Sequence, residues 1–429
     1  MRYIIATLGC KVNQYESEAM EQLLCSRGHT PCRPGETADA ILVNTCAVTA
    51  EGARKVRQTV RRLRREHPEA LLALCGCWSQ VESAAAAELG ADVLFGTGDR
   101  QGFVAAVESA AESRGEPRVE RLDDPFRRKT FERLPSGAYA GHARAYLKIQ
   151  DGCDNFCSYC IIPYARGRVL SLPKDECAAQ YGALAEKGYR EIVVTGIEVA
   201  AWGRDLKTGE KLIDALEAMN AAAPQVRLHL GSLEPTVVTD DFAARLKELN
   251  VCPHFHLSLQ SGCDDTLRRM RRKYDTAAFF AVTERLRAAF PGCSLTTDLI
   301  CGFPGETEEE FARTLSFTEK CAFAAMHVFP YSRRPGTKAN AMPGQLTREE
   351  KARRCRVVQE LADGMRRAYL QAQIGSTLQV LFETELDGVC RGHAENYVET
   401  SVPGSGLRGD VRSVKITGAV KDGLAGVLL

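Results

Sequence analysis

The chain has 429 residues and a mass of 47.0 kDa, is 45% hydrophobic and 26% charged, and sets 56 Lys and Arg against 55 Asp and Glu. That is enough for two or three domains with sizeable cores, and it excludes a disordered, collagenous or coiled-coil fibre. No apolar run reaches the roughly 18 residues of a membrane span, and a net charge of +1 leaves any nucleic-acid site to local clustering.

The start, Met1-Arg2-Tyr3-Ile4-Ile5-Ala6-Thr7-Leu8, reads as a first strand and not as a signal peptide. The chain is therefore expected in the cytoplasm, with no membrane and no DNA partner. Up to residue 110, short apolar strands (3–8, 40–43, 71–74, 93–95) alternate with helical patterns (15–27 and a polar stretch to about 66). Repeats of this size predict an α/β domain over 1–125, a doubly wound parallel sheet with helices on its faces. Residues 110–140 lose periodicity and gain charge, Gly and Pro, which predicts a linker. From 146 the rhythm resumes on a larger scale, with strands expected at 146–149, 191–195, 226–230, 255–259, 295–300 and 324–329. These βα units predict a partial (β/α)6 TIM-like barrel over 139–370, with its chemistry at the strand C-termini. Strands at 377–384, 388–398 and 410–417 then predict a small closed antiparallel β-barrel over 371–429.

The 17 cysteines are an odd number in a chain too long to need disulfide staples, so metal or redox chemistry is the better reading. The densest group is Cys153-Asp154-Asn155-Phe156-Cys157-Ser158-Tyr159-Cys160, at the expected end of the first barrel strand. Three thiolates this close can grip one small metal centre, yet they are one short of the four that close a cuboidal iron–sulfur cluster. An iron left open can coordinate a substrate or cofactor, as a catalytic zinc keeps one position free. A zinc site completed by a distant residue and inert core cysteines are the alternatives. Later strand ends carry Thr195-Gly196-Ile197-Glu198, Glu234-Pro235, Ser258-Leu259-Gln260-Ser261-Gly262, and Asp298 ahead of Gly302-Phe303-Pro304-Gly305-Glu306-Thr307. Glycines admit a ligand close to the backbone, and Gln260 or Glu234 can orient ribose hydroxyls or an amino-acid end. Turn chemistry and helix capping are the plainer reading. In the first domain Cys10, Cys46 and Cys77 follow three strand ends, which an open parallel sheet gathers into one crevice. A second metal centre and incidental cysteines both stay open, and Cys75 complicates the count.

The CxxxCxxC spacing after the first strand of a βα series resembles the signature of radical S-adenosylmethionine enzymes. Leu8-Gly9-Cys10-Lys11-Val12-Asn13-Gln14-Tyr15, Asn44-Thr45-Cys46-Ala47-Val48-Thr49 and Gly76-Cys77 resemble the N-terminal motifs of the methylthiotransferases. The likeness continues through 161–168, 258–262, 296–300, 302–307 and 327–337, nearly the whole chain. It implies two 4Fe-4S clusters, one on Cys153, Cys157 and Cys160 and one on Cys10, Cys46 and Cys77. It also implies S-adenosylmethionine at the open iron of the first, with Tyr159, Gly196, Glu198, Glu234, Gln260, Asp298 and Phe329 in the cofactor site. A low-potential electron donor of flavodoxin or ferredoxin type is implied as a partner.

Asn13-Gln14-Tyr15 and Tyr331-Ser332-Arg333-Arg334-Pro335 are most similar to the branch that methylthiolates N6-threonylcarbamoyladenosine at position 37, in the tRNA anticodon stem-loop. Sister branches act on isopentenyladenosine or on an aspartate of a ribosomal protein. A zinc-containing RNA-binding protein is the non-enzymatic alternative. Glu198, where a non-acidic residue is expected, and Cys301, where Val is usual, depart from the family pattern. Arg54, Arg57, Arg166, Arg268, Arg272, Arg333 and Arg334 are candidates for RNA phosphate contact. The last domain resembles a TRAM module around Gly392-His393-Ala394-Glu395-Asn396-Tyr397, which adds Tyr397 as a candidate RNA contact.

Overall fold

The structure, a computed structural model, describes residues 1–113, 118–135 and 143–429. Its first sheet holds six parallel strands in the spatial order Thr30–Pro31, Arg2–Thr7, Ala40–Thr45, Leu71–Gly76, Val93–Phe95 and Val119–Arg121. The central strands Ala40–Thr45 and Leu71–Gly76 are buried at every residue, as near-continuous apolar runs covered on both faces should be. Met20 and Leu24 of helix Lys11–Ser26 and Phe103 and Val107 of helix Arg100–Glu112 pack on one face. Val56, Val60 and Leu63 of helix Ala50–Glu66 pack on the other. The doubly wound expectation holds.

Two local expectations do not. The first helix begins at Lys11, because Cys10 takes the N-cap position with no side-chain hydrogen bond to the helix; no capping residue announces the start. The stretch expected as a linker contributes structure: the helix runs to Glu112, and Val119–Arg121 pairs at the sheet edge. Three residues are too few to show a period, and a short, charged edge strand is one way to guard an open edge.

The middle of the chain forms two runs of three parallel strands. Ala145–Lys148, Glu191–Thr195 and Arg227–Leu230 make the first, and His254–Gln260, Ser294–Cys301 and Ala325–Pro330 the second. Bridges from Leu228 to Val251 and from Leu233 to Leu257 join them into the expected six-stranded partial barrel. Alternation in His254–Gln260 sends Phe255, Leu257 and Leu259 into the apolar core, while His254 and His256 face the lumen.

Helix Arg348–Ala372 leads to a closed barrel of Thr377–Leu386, Val389–Ala394, Glu399–Pro403, Gly423–Leu428 and Val411–Val420 in spatial order. Glu399–Pro403 and Gly423–Leu428 lie outside the expected strands and pair in parallel, within an otherwise antiparallel barrel. The glycines of Gly423-Leu-Ala-Gly hide a strand from propensity arguments. Gly423 is needed there, since a Cβ would sit 2.3 Å from the Glu399 carbonyl.

Tyr397, expected as an RNA contact, instead seats this barrel against the base of the partial barrel. Its ring stacks on His254 (4.8 Å) and His393 (4.7 Å) and meets His229 edge-on at 4.7 Å. The Arg144 guanidinium lies 5.2 Å from its centroid and pairs with Glu383 of the C-terminal barrel. Arg227 reaches the Gln379 carbonyl at 2.8 Å. Removing so many ring contacts from a half-buried tyrosine should cost about 2–3 kcal/mol. Tyr397→Ala is therefore expected to lower hydrogen-exchange protection in 377–428 while the N-terminal sheet keeps its own. Uniform protection in both regions would show that the tyrosine does not hold the barrel in place.

Candidate active site

Cys10, Cys46 and Cys77 follow Arg2–Thr7, Ala40–Thr45 and Leu71–Gly76, three adjacent strands of the first sheet, so the topology brings them to one edge. Gly76 makes the last approach possible. At φ +101° it turns the chain where a Cβ would lie 2.6 Å from Asn44 Oδ1 and from the backbone of Thr45. The same turn breaks strand alternation: Cys75 packs with Tyr3, Met20 and Phe103, whereas Cys77 packs on the opposite face with Trp78, Ile161 and Ala165. Cys75 therefore leaves the count. Asn13 stitches two of the three strand-end loops together, its amide donating to the carbonyls of Leu8 (2.9 Å) and Thr45 (3.1 Å).

The second triad occupies the loop after the short strand Gln150–Asp151. The Cys153 amide donates to the Gly167 carbonyl, and the Cys160 amide to the Cys157 carbonyl, each at 3.0 Å. Arg272 donates to Cys157 Sγ at 3.2 Å and to Glu234 at 2.5 Å. Across the domain boundary, Arg166 Nε donates to Cys77 Sγ at 3.3 Å. Burial pushes the Cys77 and Cys160 thiols up to about 12; Arg166 opposes the first, and the Cys77 thiol is among the groups that raise the second. The two triads thus stand within electrostatic reach of each other.

A buried ion network locks this arrangement. Glu16 on the first helix accepts from Arg166 (2.7 Å), Arg100 (2.9 Å) and Lys148 (3.2 Å), with all four side chains out of solvent. Arg166 and Lys148 also pair with Asp151, at 3.1 and 2.9 Å, and Arg166 reaches Asn13 Oδ1 at 3.0 Å. Burial opposes ionisation of Glu16, but Arg100, then Arg166 and Lys148, hold its carboxyl well below the usual range.

The other expected cofactor residues divide. Glu198 hydrogen-bonds Asn155 at 3.2 Å, its Oε1 is buried without a partner, and burial followed by the Glu234 charge raises it to about 7. Tyr159 is half-buried against Phe303, centroids 6.5 Å apart, and desolvation holds its hydroxyl well above the usual range. Gln260 takes a left-handed φ of 67° at the strand end. Gly196, Asp298 and Phe329 line a cavity of about 720 Å³ together with Cys10, Lys11, Thr195, His254, His256, Thr296, His327 and Tyr397. The lumen residues Lys11, His254, His256 and Thr296 are absent from the sequence-based site. A signal for two of them existed: His254-Phe255-His256 puts polar side chains at period two within a buried strand.

Burial corrects the RNA assignments. Arg166 (1% exposed) and Arg334 (4%) are sealed, the latter on Glu82 at 2.5 Å, and the Arg272 side chain is 5% exposed. None of the three can meet a phosphate. Arg54 and Arg268 stay on the surface in local pairs with Glu51 and Asp265. Arg57 lies over Trp78, 6.0 Å from its centroid, and Arg333 holds Asn340 at 3.2 Å.

The donor sets also decide what kind of metal centre fits. Among the described residues, two groups have all their ligand atoms within 4.8 Å of one another, Glu191–His229–Cys252 and Cys263–Asp265–Glu310, and neither contains a triad cysteine. In the first, Glu191 is already engaged by Arg227 (2.6 Å), Arg144 (3.5 Å) and His229 (3.1 Å). In the second, Glu310 holds Arg269, and Asp265 pairs with Arg268 and Arg313. Each triad offers three thiols, the number that would hold an iron–sulfur cluster with one iron left open.

The family model of the Radical SAM superfamily matches residues 147–318, and that of Uncharacterized protein family UPF0004 matches 2–96. The chain is 36% identical over 420 residues to the Bacillus subtilis threonylcarbamoyladenosine tRNA methylthiotransferase MtaB, covering 96% of this chain and 92% of the relative. The chain belongs to the radical S-adenosylmethionine methylthiotransferases of the MtaB type. It is also 32% identical over 448 residues to a tRNA-2-methylthio-N(6)-dimethylallyladenosine synthase of Maricaulis maris, covering 100% of this chain and 97% of that one. The fold is shared with the radical S-adenosylmethionine methyltransferase TsrM of Kitasatospora setae, with a TM-score of 0.56 at 15% identity over 79% of this chain and 77% of that one. Membership implies an iron–sulfur centre, S-adenosylmethionine and a tRNA substrate. No helix among the described residues is long and apolar enough to cross a membrane.

The methylthiotransferase should depend heavily on Glu16. Glu16→Gln leaves three buried cations short of an anion and should cost about 3–5 kcal/mol. Because the folded carboxyl is depressed, its contribution is present above the unfolded value of about 4.3 and is lost as pH falls below it. Thermal midpoints between pH 7 and 3 should show a lower plateau and a shallower acid limb in the variant. A variant curve parallel to that of the wild type would refute the coupling.

Proposed function

We propose that the enzyme converts N6-threonylcarbamoyladenosine at position 37 of tRNA to its 2-methylthio derivative. The observation that carries this reading is that Arg166, just beyond the Cys153–Cys160 triad, donates to Cys77 of the other triad, while Cys10 of that triad lines the barrel cavity. Cys153, Cys157 and Cys160 would hold one 4Fe-4S cluster, and Cys10, Cys46 and Cys77 the other. When bound, these clusters and S-adenosylmethionine supply one-electron reactivity and a transferable methylated sulfur, neither of which acid–base side chains can offer to the inert C2–H of an adenine.

The chain's own residues bind, orient and exclude water. Glu198 has an unpaired buried oxygen that can accept from the ammonium of an amino-acid cofactor. Arg272 fixes Glu234 and the Cys157 loop with one guanidinium, a geometry that suits a planar fork and not a lysine. Gly196 leaves the wall beside Gln150 low, and Asp298 and Phe329 border the same cavity. The base must swing out of the anticodon loop to enter, an inexpensive step in a single-stranded loop. Arg54, Arg57, Arg268 and Arg333 remain as surface cations for the RNA backbone, and electrons would come from a flavodoxin- or ferredoxin-type donor in the cytoplasm.

Nucleoside mass spectrometry tests the reading in a strain lacking the gene, complemented with wild type, Cys153→Ala or Cys10→Ala. Only the wild type should restore 2-methylthio-N6-threonylcarbamoyladenosine, while both variants accumulate its unthiolated precursor. Anaerobically reconstituted protein should carry about eight irons per chain, and about four when either triad is replaced by alanine. A deletion that changes only isopentenyladenosine derivatives would reassign the substrate.

A further inference from the structure

The substrate proposed above differs from the neutral prenylated base of the sister enzymes in one decisive way: its N6 substituent ends in a carboxylate. The cavity beside the first triad is built to receive one. Lys11 follows Cys10 directly and lines the cavity. Among the described residues no carboxylate pairs with its ammonium, whose one recorded contact is the face of Tyr397, 5.7 Å from the centroid. Lys11 is also the first residue of its helix, and no acidic residue shares that first turn. A cation there opposes the helix dipole and forfeits about 0.3–1 kcal/mol, so stability gives no reason for it.

The one acid lining the cavity is already engaged. A chain of contacts crosses the lumen: Glu191 to His229 Nδ1 (3.1 Å), His229 Nε2 to His254 Nδ1 (2.7 Å), and His254 Nε2 to Thr296 Oγ1 (3.0 Å). It ends with Thr296 Oγ1 to His256 Nδ1 (3.1 Å) and His256 Nε2 to Asp298 (3.3 Å). Glu191 can only accept, so His229 donates to it, His254 donates to His229, Thr296 to His254, and His256 Nδ1 to Thr296. His256 Nε2 then faces the Asp298 carboxylate. Asp298 is thereby spoken for. Of the two cations lining the cavity, Arg366 is held by the Asp422 carbonyl at 2.6 Å, and Lys11 has no hydrogen-bonded partner among the described residues.

We propose that Lys11 binds the carboxylate of the threonylcarbamoyl group and so selects the acidic base over neutral N6-alkyl adenines. This assignment rests on the substrate reading given above. The test uses reconstituted full-length enzyme and anticodon stem-loops carrying N6-threonylcarbamoyladenosine, its carboxyl methyl ester, or isopentenyladenosine, with binding read by fluorescence anisotropy. Wild type should prefer the acid to its ester by roughly 10- to 100-fold. Lys11→Met should bind the two alike, and Lys11→Arg should keep the preference. Iron content is measured alongside, because Lys11 adjoins Cys10. Wild type that methylthiolates the acid but binds acid and ester equally would overturn the Lys11 assignment alone, and so would Lys11→Met that keeps the preference. Wild type that acts only on the isopentenyl RNA would overturn the substrate reading and this inference with it.

Discussion

The active site depends on a single buried guanidinium. Arg166 sits six residues beyond Cys160, yet it spends its donors on the other domain: Nε on Cys77, one terminal nitrogen on Glu16 and Asp151, the other on Glu16 and Asn13. Five donors in a rigid fork can satisfy all of these at once, and a lysine has neither the number nor the geometry. Asn13 in turn holds the loops after the first two strands. The positions of Cys10, Cys46 and Cys77 are thereby referred, through two side chains, to the loop that carries the other triad. Buried ion pairs are weak sources of stability because desolvation offsets the Coulombic gain. Here the network's return is position: two metal-binding loops from separate sheets are held in one register.

That register has an electrostatic consequence. Thiols buried this deeply resist deprotonation: Cys77 and Cys160 are pushed to about 12, and Cys153 is raised further, by burial first. An iron centre binds thiolates, so loading it must expel protons from a site that favours keeping them. The arginines lower that barrier: Arg166 beside Cys77 and Arg272 beside Cys157 supply positive charge where thiolate charge would appear. The same two arginines looked like RNA contacts in the sequence. Their charge serves the cysteines.

This difference shows what the sequence could and could not convey. The succession of strands and the three-part organisation were legible because each rests on local patterns: apolar runs, helical periodicity and glycine turns. Arginine roles were not, because a guanidinium on a sheet edge and one sealed beneath a docked domain have identical local sequence. Arg166 and Arg334 lie in short motifs, 161–168 and 331–335, and tertiary packing alone buries them. Tyr397 failed for the same reason. Its sequence suggests an RNA-facing aromatic within its own barrel, but its ring is claimed by His229, His254 and Arg144 across a domain boundary. Glu16 carried a signal only in hindsight, as an acid in the middle of a helix face whose neighbours Val12, Tyr15, Ala19 and Met20 are all buried.

The lumen completes the argument, since its polarity would be a defect in a barrel that had only to fold. An inward-facing His254, His256 and Thr296 replace the branched aliphatics that fill a packed barrel, and each must find a hydrogen-bond partner or pay for desolvation. The chain from Glu191 to Asp298 finds those partners, and Tyr397 and Arg144 close its lower end from the C-terminal barrel. A polar lumen also stays open: side chains tied to one another across the strands do not collapse inward as aliphatics would. The result is a cavity beside Cys10 with room for a substituted base, walled by groups whose hydrogen bonds are already made. Such a wall gains little by binding water or an indifferent ligand. Discrimination therefore falls to Lys11, a cavity cation with no hydrogen-bonded partner among the described residues.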